Sequence, residues 1–263
     1  MEKIFGYIGR IALNALYGLC RAAVLIVQTF YWTAVAPLRG KGLRVRAAVE
    51  QFVEFGVRSL PIVCLISFLI GAIIAMQSAY QLERFGAGRY IADLVAVSGM
   101  RELGPLMAAI LIAGRNGSAI AAEIGTMKVA EELDALQVIG LNPIKFLVVP
   151  RFIAMAFALP CVTVLSVLVL IAGGFSLSVF ALGSDPWQYV ERTTEALVAK
   201  DLATGLVKSL FFAFAICLVG VHRGLQVEGG AEGVGKQTTS AVVTSITAII
   251  VIDLIFTALF YFM

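Results

Sequence analysis

The sequence predicts an all-α polytopic membrane protein. It has one or two interfacial amphipathic helices at the N-terminus, about five transmembrane helices, and a short helix outside the bilayer between the second and third spans. Two observations predict this class. Of the 263 residues, 60% are hydrophobic and 14% charged, with a mean hydropathy of +0.95, which leaves too little polar surface to cover a soluble domain. The charges are also spaced so that long apolar runs lie between them. The whole chain, 1–263, reads as one membrane domain, with an interfacial segment at 1–57 and a transmembrane core at 58–263.

In residues 1–57, Lys3, Arg10, Arg21, Arg39, Lys41, Arg44 and Arg46 punctuate Ile, Leu, Val, Phe and Trp, and Arg58 follows directly. An arginine is costly in the middle of a spanning helix and tolerated on a helix lying in the interface. The alternative is a sixth span near 12–37 that carries Arg21. Ala34-Val35-Ala36 mimics a signal-peptide cleavage site, but Arg10 and Arg21 interrupt the run and Pro37 follows it, so 1–37 reads as mature chain.

Arg58 to Glu83 encloses about 24 uncharged residues, enough to cross a ~30 Å core. Pro61 sits near the start, where a helix tolerates it. Arg151 to Asp185 encloses about 33, room for a tilted span and a turn at Gly173-Gly174. Three further spans, near 94–122, 202–222 and 237–262, carry charge inside them. The basic N-terminus places the chain's start in the cytoplasm. Five spans then put the loops at 115–151 and 223–236 inside. The loops near 83–93 and 184–201, and the C-terminus, fall outside.

The intramembrane charges are the first candidate site. Arg101 and Glu102 lie in SGMRELGPLMAAILIAGR. Adjacent opposite charges in an apolar segment mark function, unless the span starts only at Leu103 and the pair sits at the outer interface. Leu103-Gly104-Pro105 suggests a helix break there. Lys208 lies near the outer end of its span, where the simple expectation is snorkelling to the interface. Asp253 has apolar residues on both sides and should face other helices, where pairing with Lys208 or Arg101 would lower its cost.

The second candidate is acidic. Between Ala121 and Ile139, apolar Ile124, Met127, Leu133, Leu136 and Val138 alternate with Glu123, Lys128, Glu131, Glu132 and Asp134. This predicts an amphipathic helix over about 124–139, capped by Gly140 and stopped by Pro143. On charge alone it is a solvated helix without a partner. Gly117, Ala121 and Gly125 form a small-residue stripe for close helix packing, within the protomer or across a dimer.

Other readings fail. GAEGVGKQ (230–237) nearly matches a P-loop, but Gln237 stands where the magnesium-binding hydroxyl belongs and no buried strand precedes it. The expectation is that this chain holds no cofactor, and that any ATP-Mg is bound by a separate subunit. The four cysteines lie far apart in apolar runs and His222 is the single histidine, so neither a disulfide frame nor a metal site is expected. No nucleophile–base arrangement suggests an enzyme, and a net charge of +3 does not suggest nucleic acid.

RELGPLMAAILIAGRNGSAIAAEIGTMKVAEELDALQVIGLNPIKFLVVPRF (101–152), with IGAIIAMQ (70–77), VKS (207–209) and LIFTALF (254–260), resembles the membrane subunit of MlaE/YrbE-type ABC transporters. The resemblance implies a homodimeric permease in the bacterial inner membrane, N-terminus cytoplasmic and C-terminus periplasmic. It implies a cytoplasmic ABC ATPase as partner, a periplasmic MCE-domain protein, and phospholipids as cargo moved between the inner membrane and that protein. It makes the helix at about 124–139 the coupling helix, with Glu123, Lys128, Glu131, Glu132, Asp134, Gly140 and Pro143 as its ATPase-facing set. It also implies a lipid pocket near the outer face lined by Ile74, Leu82, Phe85, Arg101, Glu102 and Leu103, with Lys208 nearby. Arg101 and Lys208 would hold a phosphate there. The chain departs from the pattern at Ser240, where relatives can carry a basic residue. A different class remains open: an ion-coupled secondary transporter using Arg101, Glu102, Lys208 and Asp253 as a proton relay. Such folds usually show internal repeats, and none is visible.

Overall fold

A computed structural model describes residues 17, 18, 20–35 and 44–262. Expectations that rest on Lys3, Arg10, Arg39, Lys41 and the Ala36-Pro37 junction lie outside the described residues. Among the described residues the chain is helical almost throughout and has no strand. Five stretches are long and apolar enough to cross a membrane: Val45–Phe85, Gly88–Val129, Ile144–Phe180, Ala199–Leu225 and Gly230–Phe262. The expected number holds; the limits are longer, because several charged ends are helical too.

The first stretch covers 41 residues. Straight, it would reach about 60 Å, twice a ~30 Å core. It bends at Gly56 (φ −85°, ψ −75°). Before the bend lies α2 (Val45–Phe55) and after it α3 (Leu60–Leu82), whose first turn holds Pro61. On α2, Val45, Val49 and Val53 leave an apolar stripe uncovered by protein, beside the exposed Arg46–Glu50 ion pair at 3.1 Å. That is the pattern of a helix lying in an interface.

Of the preceding helix, α1, the run Cys20–Val35 covers about 24 Å at 1.5 Å per residue, and Tyr17 and Gly18 before it are also helical. It touches one end of the bundle only. Phe30 packs edge-on against Phe152 at 5.3 Å and Phe214 at 5.7 Å, Lys145 stands 5.5 Å over the Trp32 ring, and Leu25 and Thr29 are buried. The described part of the N-terminus therefore does not supply a sixth span.

The second stretch runs through α4 (Ile91–Ser98), α5 (Gly104–Ile112) and α6 (Ser118–Val129). The expected break at Leu103-Gly104-Pro105 is not there. A wide turn, Gly99–Leu103, absorbs the proline, with the Gly104 N–H donating to the Gly99 carbonyl. Pro105 has no N–H, so one regular helical bond is lost, and the widened turn lets the helix continue. A second wide turn, Ala113–Gly117, carries Arg115 and Asn116. Arg115 donates to Ser59 Oγ (2.7 Å) and Asn116 to the Phe55 carbonyl (3.0 Å), which holds the Gly56 bend from outside its own chain segment.

The predicted helix at 124–139 is also divided. α6 ends at Val129, Glu131 turns left-handed (φ +59°), and α7 (Glu132–Val138) follows. A non-glycine residue in that region costs about 1–2 kcal/mol, and it swings α7 out of line with the span. Gly140 (φ +78°) then closes α7, its N–H donating to Gln137 O while Leu141 donates to Leu136 O. Asn142 Oδ1 accepts from the N–H groups of Ile144 and Lys145 and starts the next stretch, directly after Pro143.

α8 (Val149–Phe180) is continuous, so no turn occurs at Gly173-Gly174. Those glycines serve a crossing instead. A Cβ on Gly173 would lie 2.0 Å from the Phe68 carbonyl oxygen, and one on Gly71 only 1.8 Å from that of Leu170. The backbones of α3 and α8 touch there, which only glycine allows. Ser67 and Ser166 share a buried hydrogen bond of 2.8 Å at the same interface.

A short amphipathic helix, α9 (Pro186–Ala196), is capped by Asp185 and caps the bundle's other end. α10 (Ala199–Leu225) and α11 (Gly230–Phe262) complete the bundle. The small-residue stripe is used within the protomer. A Cβ on Gly220 would stand 3.0 Å from Gly117 O, and one on Gly224 3.0 Å from Ala121 O. The glycine-rich segment 230–237 is the first part of α11, a helix rather than a loop. α2, α7 and the α10–α11 junction thus share one end of the bundle. The α3–α4 turn, α9 and Phe262 share the other.

Candidate functional site

At the α9 end, the wide turn Gly99–Leu103, α10 and α11 converge on one group of charges. Lys208 is fully buried, so it does not snorkel as expected. The reason is its surroundings: Nζ is 2.7 Å from Glu102 Oε1, 2.9 Å from Asp253 Oδ1 and 2.8 Å from Thr257 Oγ1. Thr257 in turn donates its hydroxyl hydrogen bond to Glu102 Oε1 at 2.7 Å. An ammonium in an apolar medium is held only when paired and hydrogen-bonded, and here it has both.

Beside it, Arg101 forks onto Asp201. Its Nε and Nη2 both lie 2.5 Å from Oδ1, and Asp201 is 1% exposed. The two cations, Arg101 and Lys208, face three carboxylates, Glu102, Asp201 and Asp253, so the group carries formal charge −1 when all are ionised. Asp201 escaped sequence reading because it precedes the apolar run of its span. Its signal was spacing: Asp201 and Lys208 are two helical turns apart, on one face of α10.

A cavity of about 290 Å³ opens beside the group. Arg101, Glu102 and Lys208 supply its polar side, and Val97, Phe260 and Tyr261 its apolar side. The structure therefore brings together three of the seven predicted pocket residues. Ile74 and Leu82 line a separate cleft of about 180 Å³ with Leu94. Phe85 is 84% exposed in the turn after α3, and Leu103 packs against the core of α3, α4 and α8. Among the described residues, no three His, Cys, Asp or Glu side chains are grouped to hold a metal ion.

The acidic set at the opposite end divides in two. Glu123 pairs with Arg151 at 2.6 Å, and Lys128 donates to the Leu225 carbonyl at 2.8 Å, so both tie helices together. Glu131, Glu132 and Asp134 are exposed, while Leu133 between them is buried and seats α7 on the bundle. Val138 and Ile139 are exposed beside them at 88% and 68%. α7 thus presents an acidic and apolar surface outward.

The family model described as Permease MlaE matches residues 48–259. A probable ABC transporter permease protein of Rickettsia prowazekii is 36% identical over 239 residues, 91% of this chain and 92% of its own. Another probable ABC transporter permease protein, from Synechocystis, is 40% identical over 206 residues, 78% of each chain. The intermembrane phospholipid transport system permease protein MlaE of Haemophilus influenzae is 33% identical over 216 residues, 81% of this chain and 82% of its own. With five apolar helices and a match across nearly the whole helical bundle, the chain belongs to the MlaE permease family, the membrane subunits of ABC transporters.

Proposed function

We propose that this chain is the permease of a phospholipid transporter in the bacterial inner membrane, with the α7 end cytoplasmic and the α9 end periplasmic. It works as a homodimer with a cytoplasmic ATPase, which carries the ATP-Mg, and passes lipid to or from a periplasmic MCE-domain protein. The whole chain forms one permease domain. The observation that carries this reading is the cavity at the α9 end, where a buried ion group adjoins Val97, Phe260 and Tyr261. A phospholipid needs a polar and an apolar surface side by side.

The headgroup sits at Arg101, half exposed at the cavity's mouth, while acyl chains run along the aromatic wall. Ile74, Leu82, Phe85 and Leu103 reach the lipid only if the second protomer brings its α3 alongside. Glu131, Glu132 and Asp134 meet a basic groove on the ATPase. Gly140 and Pro143 set the angle at which α7 returns to the membrane, and Glu123 and Lys128 stiffen its base. Membership of an ABC transporter permease family removes the motive for the ion-coupled alternative. A gentle pull-down from native membranes, with mass spectrometry of proteins and lipids, tests the assembly. An ATPase, an MCE-domain protein and enriched phospholipid should co-purify. The chain alone, even after crosslinking, would overturn the reading.

A further inference from the structure

A second cavity lies at the α7 end, between α1, α10 and α11. Its volume is about 580 Å³, within the ~300–1,000 Å³ usual for ligand sites. Leu25 and Ile26 of α1 and Leu218 and Val219 of α10 form an apolar trough. Arg223, with His222, Gln226 and Thr244, forms its polar end, and among the described residues no carboxylate lines it. Among the described residues, Arg223 shares with Arg44 and Lys128, which donate to the Phe146 and Leu225 carbonyls, the lack of a carboxylate partner. Arg46, Arg58, Arg115 and Arg151 each reach a carboxylate. Among the described residues Arg223 reaches the Thr244 hydroxyl, at 3.0 Å, and its Nε, like that of Arg151, is buried without a partner. His222 and Gln226 are joined to each other at 2.9 Å. Arg21 stands on the flank of the α1 face that carries Ala22 and Leu25.

We propose that this groove binds one anionic phospholipid of the leaflet at the α7 end. Its phosphate sits on Arg223 and an acyl chain lies in the trough under α1. Charge complementarity selects the occupant. A half-buried guanidinium whose described side-chain partner is one neutral hydroxyl calls for an anion, since a buried charge without a counter-charge is costly. The trough beside it calls for a hydrocarbon chain, and the groove opens at the membrane level where such lipids are the available anions. The site is remote from the Lys208 cavity and does not depend on that cavity carrying cargo. The lipid would wedge α1 against α10 and α11, close to the end that meets the ATPase.

The test uses the full chain in its native complex, reconstituted in bilayers of phosphatidylcholine with one fifth phosphatidylglycerol. A photoreactive benzoyl-phenylalanine replaces Ala22, so Arg223 stays intact. The expected result is adducts with phosphatidylglycerol enriched at least threefold over its share of the bilayer. Arg223→Ala should abolish the enrichment, and Arg223→Lys should keep part of it. Leu218→Trp, which fills the trough but leaves the charge, should also abolish it. Adducts in proportion to bilayer composition would overturn the proposal. So would adducts to a second copy of the chain, which would mean that protein covers the groove. Enrichment unaffected by both Arg223→Ala and Leu218→Trp would overturn it as well. Phe260 crosslinking to lipid at the other end, run in parallel, reports on the transport cavity and separates the two readings.

Discussion

The two ends of the bundle solve the same problem differently. At the α9 end, both cations of the buried group have a carboxylate: Lys208 has Glu102 and Asp253, and Arg101 has Asp201. At the α7 end, Arg151 and Arg115 are paired in the same way, but Arg223 is left with one hydroxyl. A paired group specifies how helices meet. An unpaired cation beside an apolar trough specifies that something else completes it. Charge in lipid is expensive in both places: the α9 end offsets it inside the protein and keeps Arg101 half exposed beside its cavity, while the α7 end leaves one guanidinium for an outside anion.

The largest effect should come from Lys208→Met. It strands Glu102 and Asp253 without their common cation, and breaking a buried pair costs about 3–5 kcal/mol. Thermal unfolding in detergent should show a fall in midpoint of several degrees. The double variant Lys208→Met/Asp253→Asn should recover part of the loss, because it removes one stranded charge. No recovery would mean that the lysine acts through packing rather than charge.

Arg151→Ala tests the paired part of the other end. Its partner Glu123 is half exposed, so water screens the pair and the loss should be smaller, about 1 kcal/mol. Arg223→Ala should be smaller still in lipid-free detergent, since no ion pair is broken. In anionic bilayers its midpoint should fall below that of the parent chain. Equal midpoints in both media would erase the distinction between the two ends.

The smallest stability effect belongs to α7. Replacing Glu131, Glu132 and Asp134 together by lysine touches exposed side chains only and should shift stability by about 0.5 kcal/mol or less. The same variant should lose the ATPase in a pull-down. An ATPase retained at parent levels would remove the docking role from this surface.

Much of this was legible from sequence, and the exceptions have physical causes. The five spans follow from charge spacing, because lipid admits few exceptions. Asp253 was expected to face other helices, with Lys208 and Arg101 both open as partners, and Lys208 is the one beside it. Lys208 was expected at the interface because a long side chain can snorkel; only the fold shows two carboxylates and a threonine surrounding it. Gly173-Gly174 and Leu103-Gly104-Pro105 were read as turn and break. Glycine and proline carry both meanings in a membrane helix, and the neighbouring helix decides which one applies. Glu123 and Lys128 looked like part of one acidic helix, but the left-handed Glu131 divides it. That turn has no sequence signal, because glutamate rarely adopts it.

The proposed function stands or falls with phospholipid in the cavity beside Lys208. The direct measurement places benzoyl-phenylalanine at Phe260 in the native complex, with a matched probe at Leu254, which is 70% exposed on the outer face of α11. A phospholipid adduct at Phe260 that ATP diminishes, and an adduct at Leu254 that ATP leaves unchanged, are the expected results. Identical behaviour at the two positions, with or without ATP, would contradict it.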